Sequence, residues 1–479
     1  MIVLKFGGTS VGDASRVAEA CAIAELQSSP RAVVVSAASG VTNLLLEAAD
    51  AAQRKPEELS RIVAAIREKH FNVANGIGDE TERAAAVALL DQLHAALDAA
   101  LADVSAAGTL SKRDSDRIVS TGEKAMSVMF AATLRSRGTP AAHVWADTVI
   151  ATDDRFGSAR PDRARTRVAA DAVVRPLLDQ GLTVVMTGFI GFAPDGSTTT
   201  LGRGGSDYSA TLLGAALEAE EVQIWTDVPG VLSADPRQVP TAQVVPAVSF
   251  DEAQELAHFG AKVLHPRTIR PAVALDIPVR ILSTFAPKEP GTIVTRASAG
   301  DSVKAVTAMK GLMLLTIDVP ELEDLAAAAS TVFAQLSQDR VEIVHVSQAS
   351  SRRRMTYLVD GAGGGGCSRV TCRIEDALLE SDATVSCQED VAVVAAVGEG
   401  ASSQPAALAK MLALLDRAGV PVLAASQQNS NVALVAAVPG KDAAKAVETL
   451  HQAFIGARAA SAKGRRPRRS QLLGESVRV

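Results

Sequence analysis

Over about its first 295 residues the chain alternates short apolar, β-rich runs with long helical stretches, and few folds accommodate that alternation. Residues 2–6, 32–36, 183–188, 222–226 and 279–281 are apolar runs bounded by turn residues, as buried strands are. Residues 14–27, 56–74, 80–107 and 206–219 carry helical patterning between them. Such an order predicts a mostly parallel sheet with helices on both faces, because each parallel connection needs a crossover. Ligands of these sheets sit beyond the carboxyl ends of the strands, so the turns after the strands are where chemistry belongs. Only 3% of the residues are aromatic, so alanine, valine and leucine must fill the cores, which suits helices packed on sheets.

Pro287 and Pro290 close this region, and the pattern then changes. Strand 312–317, helix 321–336 and strands 341–347 and 355–359 are followed by strand 391–397, helix 405–418, strands 420–426 and 432–438, and helix 443–454. Both copies carry Ser-Gln at the end of their second strand, Ser347-Gln348 and Ser426-Gln427, which marks an internal repeat of β-α-β-β units. Residues 361–366, five of them glycine, read as a flexible loop between the copies. The predicted domains are 1–295, 305–388, 389–457 and a basic, disordered tail, 458–479.

A chain of 479 residues is too long for one core. Its net charge of −6 argues against a nucleic-acid binder, and no aromatic residue interleaves the basic tail to stack on bases. Anionic ligands would have to be caught by local cations and backbone amides. Cys21, Cys367, Cys372 and Cys387 fall in no disulfide or metal-ligand spacing, so they read as free thiols. The N-terminal run goes straight into a glycine turn, and charges interrupt the alanine-rich stretches, so a soluble, cytoplasmic protein with no membrane partner is expected.

Four clusters carry the chemistry. Lys5-Phe6-Gly7-Gly8-Thr9-Ser10-Val11 follows a strand and opens a helix; its glycines let backbone amides approach phosphate oxygens, and Lys5 adds a charge. The lysine precedes the glycines, so this is not a P-loop. Thr199-Thr200-Leu201-Gly202-Arg203-Gly204-Gly205-Ser206-Asp207-Tyr208 opens another helix, with a guanidinium fork suited to a carboxylate and Ser206 or Asp207 available as helix cap. Trp225-Thr226-Asp227-Val228-Pro229-Gly230, with Asp235-Pro236-Arg237 after it, offers polar anchors for a base and ribose. Phe259-Gly260-Ala261-Lys262-Val263-Leu264-His265-Pro266 supplies another glycine-flanked lysine.

Together with Ser36-Ala37-Ala38-Ser39-Gly40-Val41-Thr42-Asn43 and Ser120-Thr121-Gly122-Glu123, these clusters resemble the aspartokinase family from Met1 to about Val294. The resemblance implies an α/β protein: an amino-acid-kinase three-layer α/β/α sandwich with a mostly parallel sheet, followed by two ferredoxin-like ACT domains. It implies phosphorylation of the β-carboxylate of L-aspartate by ATP with Mg²⁺ and no protein metal site. By position, Lys5 and Asp207 would be catalytic, with Asp207 holding the lysine, and Lys5, Gly7, Gly8 and Ser36 would meet the phosphate. Thr42, Glu123, Arg203 and Ser206 would hold aspartate, with Glu123 on its ammonium and Arg203 on its α-carboxylate. Thr226, Asp227, Arg237 and Lys262 would contact the nucleotide, while Leu232 stands where the family often has tyrosine.

Residues 346–351 look like the form found in bifunctional aspartokinase–homoserine dehydrogenases, which favours threonine over lysine as effector, with Gln348 and Gln427 as contacts. Arg352-Arg353-Arg354 departs from that form. ACT pairing implies a homodimer or larger homo-oligomer. The competing readings are a kinase of the same fold for another carboxylate or carbamate, and a catalytically silent amino-acid sensor.

Overall fold

The structure, a computed structural model, describes residues 1–261, 266–296, 302–320, 324–349, 353–361, 365–378, 382–399, 406–427 and 432–456. Lys262 and the basic tail lie outside the described residues. The chain forms two compact units, Met1–Leu232 with Val244–Ala299, and Ser233–Gln243 with Gly300–Val479.

The strands of the first unit are β1 (Ile2–Phe6), β2 (Arg31–Val35), β3 (Ala141–Val144), β4 (Thr183–Thr187), β5 (Ile190–Phe192), β6 (Thr198–Thr200), β7 (Glu221–Thr226), β8 (Ala247–Ser249), β9 (Val279–Ser283) and β10 (Thr292–Thr295). Eight of them form one sheet in the order β3-β4-β2-β1-β7-β9-β10-β8, with β5 and β6 as a separate hairpin. The sheet is parallel from β3 to β9, and β10 runs antiparallel to β9. The helices are α1 (Ala14–Glu25), α2 (Val41–Arg54), α3 (Pro56–Ala74), α4 (Glu80–Ala107), α5 (Lys112–Ser136), α6 (Arg163–Val173), α7 (Arg175–Asp179), α8 (Gly205–Leu217), α9 (Phe250–His258) and α10 (Pro266–Ala274).

Successive strand residues point to opposite faces. Leu4, Phe6, Val33 and Val35 accordingly enter one core with α1–α5, while α8 packs on the other face against β1, β2 and β7 and is covered by α6 and α10. This is the expected three-layer sandwich. Among the described residues only α4 is long and apolar enough to cross a membrane; it lies in this core, with Leu90, Leu97 and Leu101 buried.

The second unit contains β11 (Ala305–Asp318), α11 (Asp324–Gln338), β12 (Ile343–Ala349), β13 (Arg354–Asp360), α12 (Cys367–Ala377), β14 (Thr384–Val397), α13 (Ala407–Arg417), β15 (Ala424–Gln427), β16 (Ala433–Pro439) and α14 (Ala443–His451). They make one antiparallel sheet in the order β12-β13-β11-β14-β16-β15, so the predicted repeat is real and its copies join at β11 and β14. Those two strands have 14 residues each, longer than the apolar runs suggested, because they pair with each other through a bulge near Met309 and Leu312.

Two expectations fail in this unit. Cys367 and Cys387, 20 residues apart, are a disulfide, brought together by the start of α12 and the course of β14; only Cys21 and Cys372 are free thiols. Residues 233–243 leave the kinase pattern to pack here. Ser233 hydrogen-bonds His451 Nε2 across 2.9 Å, and Ala234 and Val239 are buried with Val306, Val394 and Leu434.

Candidate active site

The glycine clusters and the substrate-type residues converge on one cavity of about 770 Å³ in the first unit. Its lining includes Lys5, Gly7, Gly8, Ser36, Thr42, Glu123, Arg203, Ser206, Asp207, Thr226 and Asp227, all expected from sequence. The strand order explains the convergence. β1 lies between β2 and β7 in parallel register, so the turns after all three open on the same edge.

The turn after β1 must be glycine at its tightest point, since a Cβ on Gly8 would stand 2.9 Å from the carbonyl oxygen of Ala37. Two helices begin at the cavity without a side-chain cap, α2 after Gly40 and α8 after Gly204, both glycines with positive φ. Uncapped N-termini leave amide donors for an anionic ligand. Neither Ser206 nor Asp207 caps α8, which removes the alternative use of those residues. Asp207 instead pairs with Lys5, 2.6 Å from its Nζ. Lys5 is buried at 8% exposure, so its ammonium is fixed in place by that carboxylate.

Glu123 projects from the middle of α5 into the cavity wall and is 3% exposed. The amide of Ala37 donates to its Oε1 at 3.2 Å, whereas Oε2 is buried with no partner among the described residues. Burial pushes its carboxyl up to about 8, against the opposing pull of the Ala37 amide and its own backbone amide. A buried acid with one oxygen unsatisfied is suited to accept from a cationic donor. Arg203 stands exposed on the opposite loop.

Thr226 ends β7; its carbonyl accepts from the amide and hydroxyl of Thr284, and its hydroxyl donates to Asp227 at 3.2 Å. Arg237 does not join the lining residues. It belongs to the second unit, where its guanidinium forks onto Asp235 at 2.7 Å. The segment that carries it left the kinase fold, which spacing from Asp227 could not reveal. Gln348 and Gln427 lie on β12 and β15, the two edge strands of the second sheet, and Gln348 is exposed.

Sequence reasoning passed over Thr9, Ser39, Asn43 and Phe189 as lining residues in their own right. Phe189 has φ of 70° just beyond β4, and a Cβ on Gly205 would meet its ring at 2.6 Å. Its position after a parallel strand was the available signal. Lys69 of α3 donates to the Ser39 carbonyl at 3.3 Å, a contact that no motif announces. No cluster of three or more His, Cys, Asp or Glu suited to a metal occurs among the described residues.

A parallel sheet whose central turns set a lysine and glycine amides beside a buried carboxylate from α5 is built for phosphoryl transfer to a small molecule. Residues 1–283 match the Amino acid kinase family and residues 394–454 an ACT domain. Lysine-sensitive aspartokinase 3 of Escherichia coli (strain K12) is 34% identical over 460 residues, covering 94% of this chain and 98% of that protein. Bifunctional aspartokinase/homoserine dehydrogenase 2, chloroplastic, of Arabidopsis thaliana is 31% identical over 96% of this chain, which spans 51% of that protein's length. Crystal structures of E. coli aspartokinase III with aspartate and ADP (R-state) and with lysine and aspartate (T-state) each superpose with a TM-score of 0.79 at 32% identity, covering 94% and 95% of this chain and 99% of theirs. The chain belongs to the aspartokinase family and is an ATP-using aspartate kinase.

Proposed function

We propose that the enzyme transfers the γ-phosphoryl group of ATP to the β-carboxylate of L-aspartate, giving 4-phospho-L-aspartate, under feedback control through the second unit. The observation that carries the substrate assignment is Glu123, buried, half-satisfied and on the same cavity as the Lys5–Asp207 pair. The aspartate ammonium completes its hydrogen bonding, Arg203 takes the α-carboxylate, and Thr42 and Ser206 complete the seat. The β-carboxylate then faces Lys5, Gly7, Gly8 and Ser36, while Thr226 and Asp227 meet the nucleotide.

A β-carboxylate is ionised at neutral pH, so no base is required. One of its oxygens attacks the γ-phosphorus as the bond to the ADP oxygen breaks. The obstacle is repulsion between two anions, which Lys5 and the glycine-turn amides offset while the loops hold the reactants in line. Mg²⁺ bound to the nucleotide would neutralise part of the phosphate charge. Asp227, exposed on the cavity and engaged by Thr226 among the described residues, would hold that hydrated ion.

For the effector, the lysine-sensitive E. coli relative puts lysine ahead of threonine, reversing the preference drawn from residues 346–351. Gln348 and Gln427 end edge strands, where unpaired backbone groups favour addition of another copy's sheet. We therefore place the effector contacts and a homo-oligomeric interface there, in a cytoplasmic enzyme. The test is aspartate-dependent ADP release across a panel of aspartate, glutamate and acetylglutamate, with lysine or threonine added. Turnover with aspartate alone and inhibition by lysine are expected. Turnover with glutamate or acetylglutamate in place of aspartate would overturn the substrate assignment.

A further inference from the structure

A second cavity, of about 910 Å³, lies in the first unit and is lined by Lys112, Arg155, Arg160, Arg163, Arg267 and Arg270, with Asp154 the one acid among its described lining residues. We infer that it is a binding site for a small polyanion carrying two or more phosphate groups, separate from the catalytic cavity. The cations come from four places in the fold: the first residue of α5, the loop before α6, the first residue of α6, and α10. Like charges gathered in one concave surface repel one another, and here they do so in a chain of net charge −6. Arg155 pairs with Asp153 at 3.4 Å, but no ion pair engages Lys112, Arg160, Arg163 or Arg270 among the described residues.

Two further features fit a bound anion. The loop carrying Arg155 and Arg160 is anchored, since buried Asp116 accepts from the amides of Gly157 and Thr200 and from the Thr200 hydroxyl, each at 2.8 Å. Guanidinium forks match phosphate geometry, and their spread around the cavity calls for a ligand with several anionic groups. A Cβ on Gly202 would stand 3.3 Å from Ser158 Oγ, and Tyr208 lines this cavity while Asp207 lines the catalytic one. The two sites therefore share the loop that carries Arg203.

The test is calorimetric titration of the full chain with inorganic tripolyphosphate in saturating ADP and aspartate, and it reads binding whether or not aspartate is the substrate. Binding that persists with both ligands present, and that weakens from 50 to 300 mM salt, is expected. Arg160→Ala/Arg163→Ala/Arg270→Ala should weaken it at least about tenfold, with circular dichroism and the KM for ATP unchanged, and the triple Lys variant should recover part of the loss. Equal affinity in the Ala variant, displacement by ADP, or tighter binding of citrate than of tripolyphosphate would overturn the inference.

Discussion

Replacing Glu123 with glutamine separates its charge from its shape. Burial lifts its carboxyl from the ordinary 4.5 to about 8, so at pH 7 the neutral form predominates. In the proposed seat the aspartate ammonium takes the Glu123 carboxylate, so binding would release a proton. The wild-type KM for aspartate should fall about tenfold from pH 6 to pH 7 and level off above about 8. Glu123→Gln should bind aspartate weakly, with that slope gone. The same shift has a stability sign. A folded-state value above the unfolded one gives stability that is full below about pH 4.5 and lost as pH rises through about 8, on the order of 5 kcal/mol in all. Glu123→Gln should thus melt at a higher temperature than wild type at pH 9 and not at pH 4. A pH-independent wild-type KM, or a glutamine variant that keeps the slope, would refute the reasoning.

Lys5→Ala, which leaves Asp207 without its cation, should lower kcat by at least about 100-fold in protein that still binds ADP by calorimetry. Arg203→Lys should raise the KM for aspartate with little change in that for ATP, since an ammonium lacks the fork; steady-state kinetics decides it. Gly8→Ala puts a methyl 2.9 Å from the Ala37 carbonyl and should abolish turnover while the melting temperature stays within a few degrees of wild type. Gln348→Ala should weaken inhibition by lysine without changing uninhibited turnover, as an effector titration would show.

The catalytic half was legible because its signals are local. A glycine beside a strand end marks a turn, and a parallel sheet gathers such turns on one edge, which draws the Lys5 and Asp207 clusters together, while Glu123, in the middle of α5, was legible only through the family resemblance. The repeat was legible through the two Ser-Gln strand ends. What escaped depends on distance along the chain. The Cys367–Cys387 bond joins residues 20 apart across a helix and a loop, and no spacing rule marks it. Arg237 sits ten residues after Asp227 but folds with the second unit, because Ala234 and Val239 find their apolar partners there. The stacked, buried pair His70 and His94, whose rings approach to 2.9 Å between nitrogens, comes from two separate helices, and no motif links the two in sequence. Arg160, Arg163 and Arg270 likewise belong to none of the sequence clusters, and only the fold sets them around one cavity.

The central claim is phosphoryl transfer to the side-chain carboxylate of an amino acid whose ammonium sits on Glu123. Trapping the product with hydroxylamine and identifying it by mass and fragmentation addresses that claim directly, with aspartate and its deaminated analogue succinate compared under Mg-ATP. The account predicts aspartate β-hydroxamate from the first and essentially none from the second. Equal hydroxamate from succinate, or an α-hydroxamate from aspartate, would contradict it.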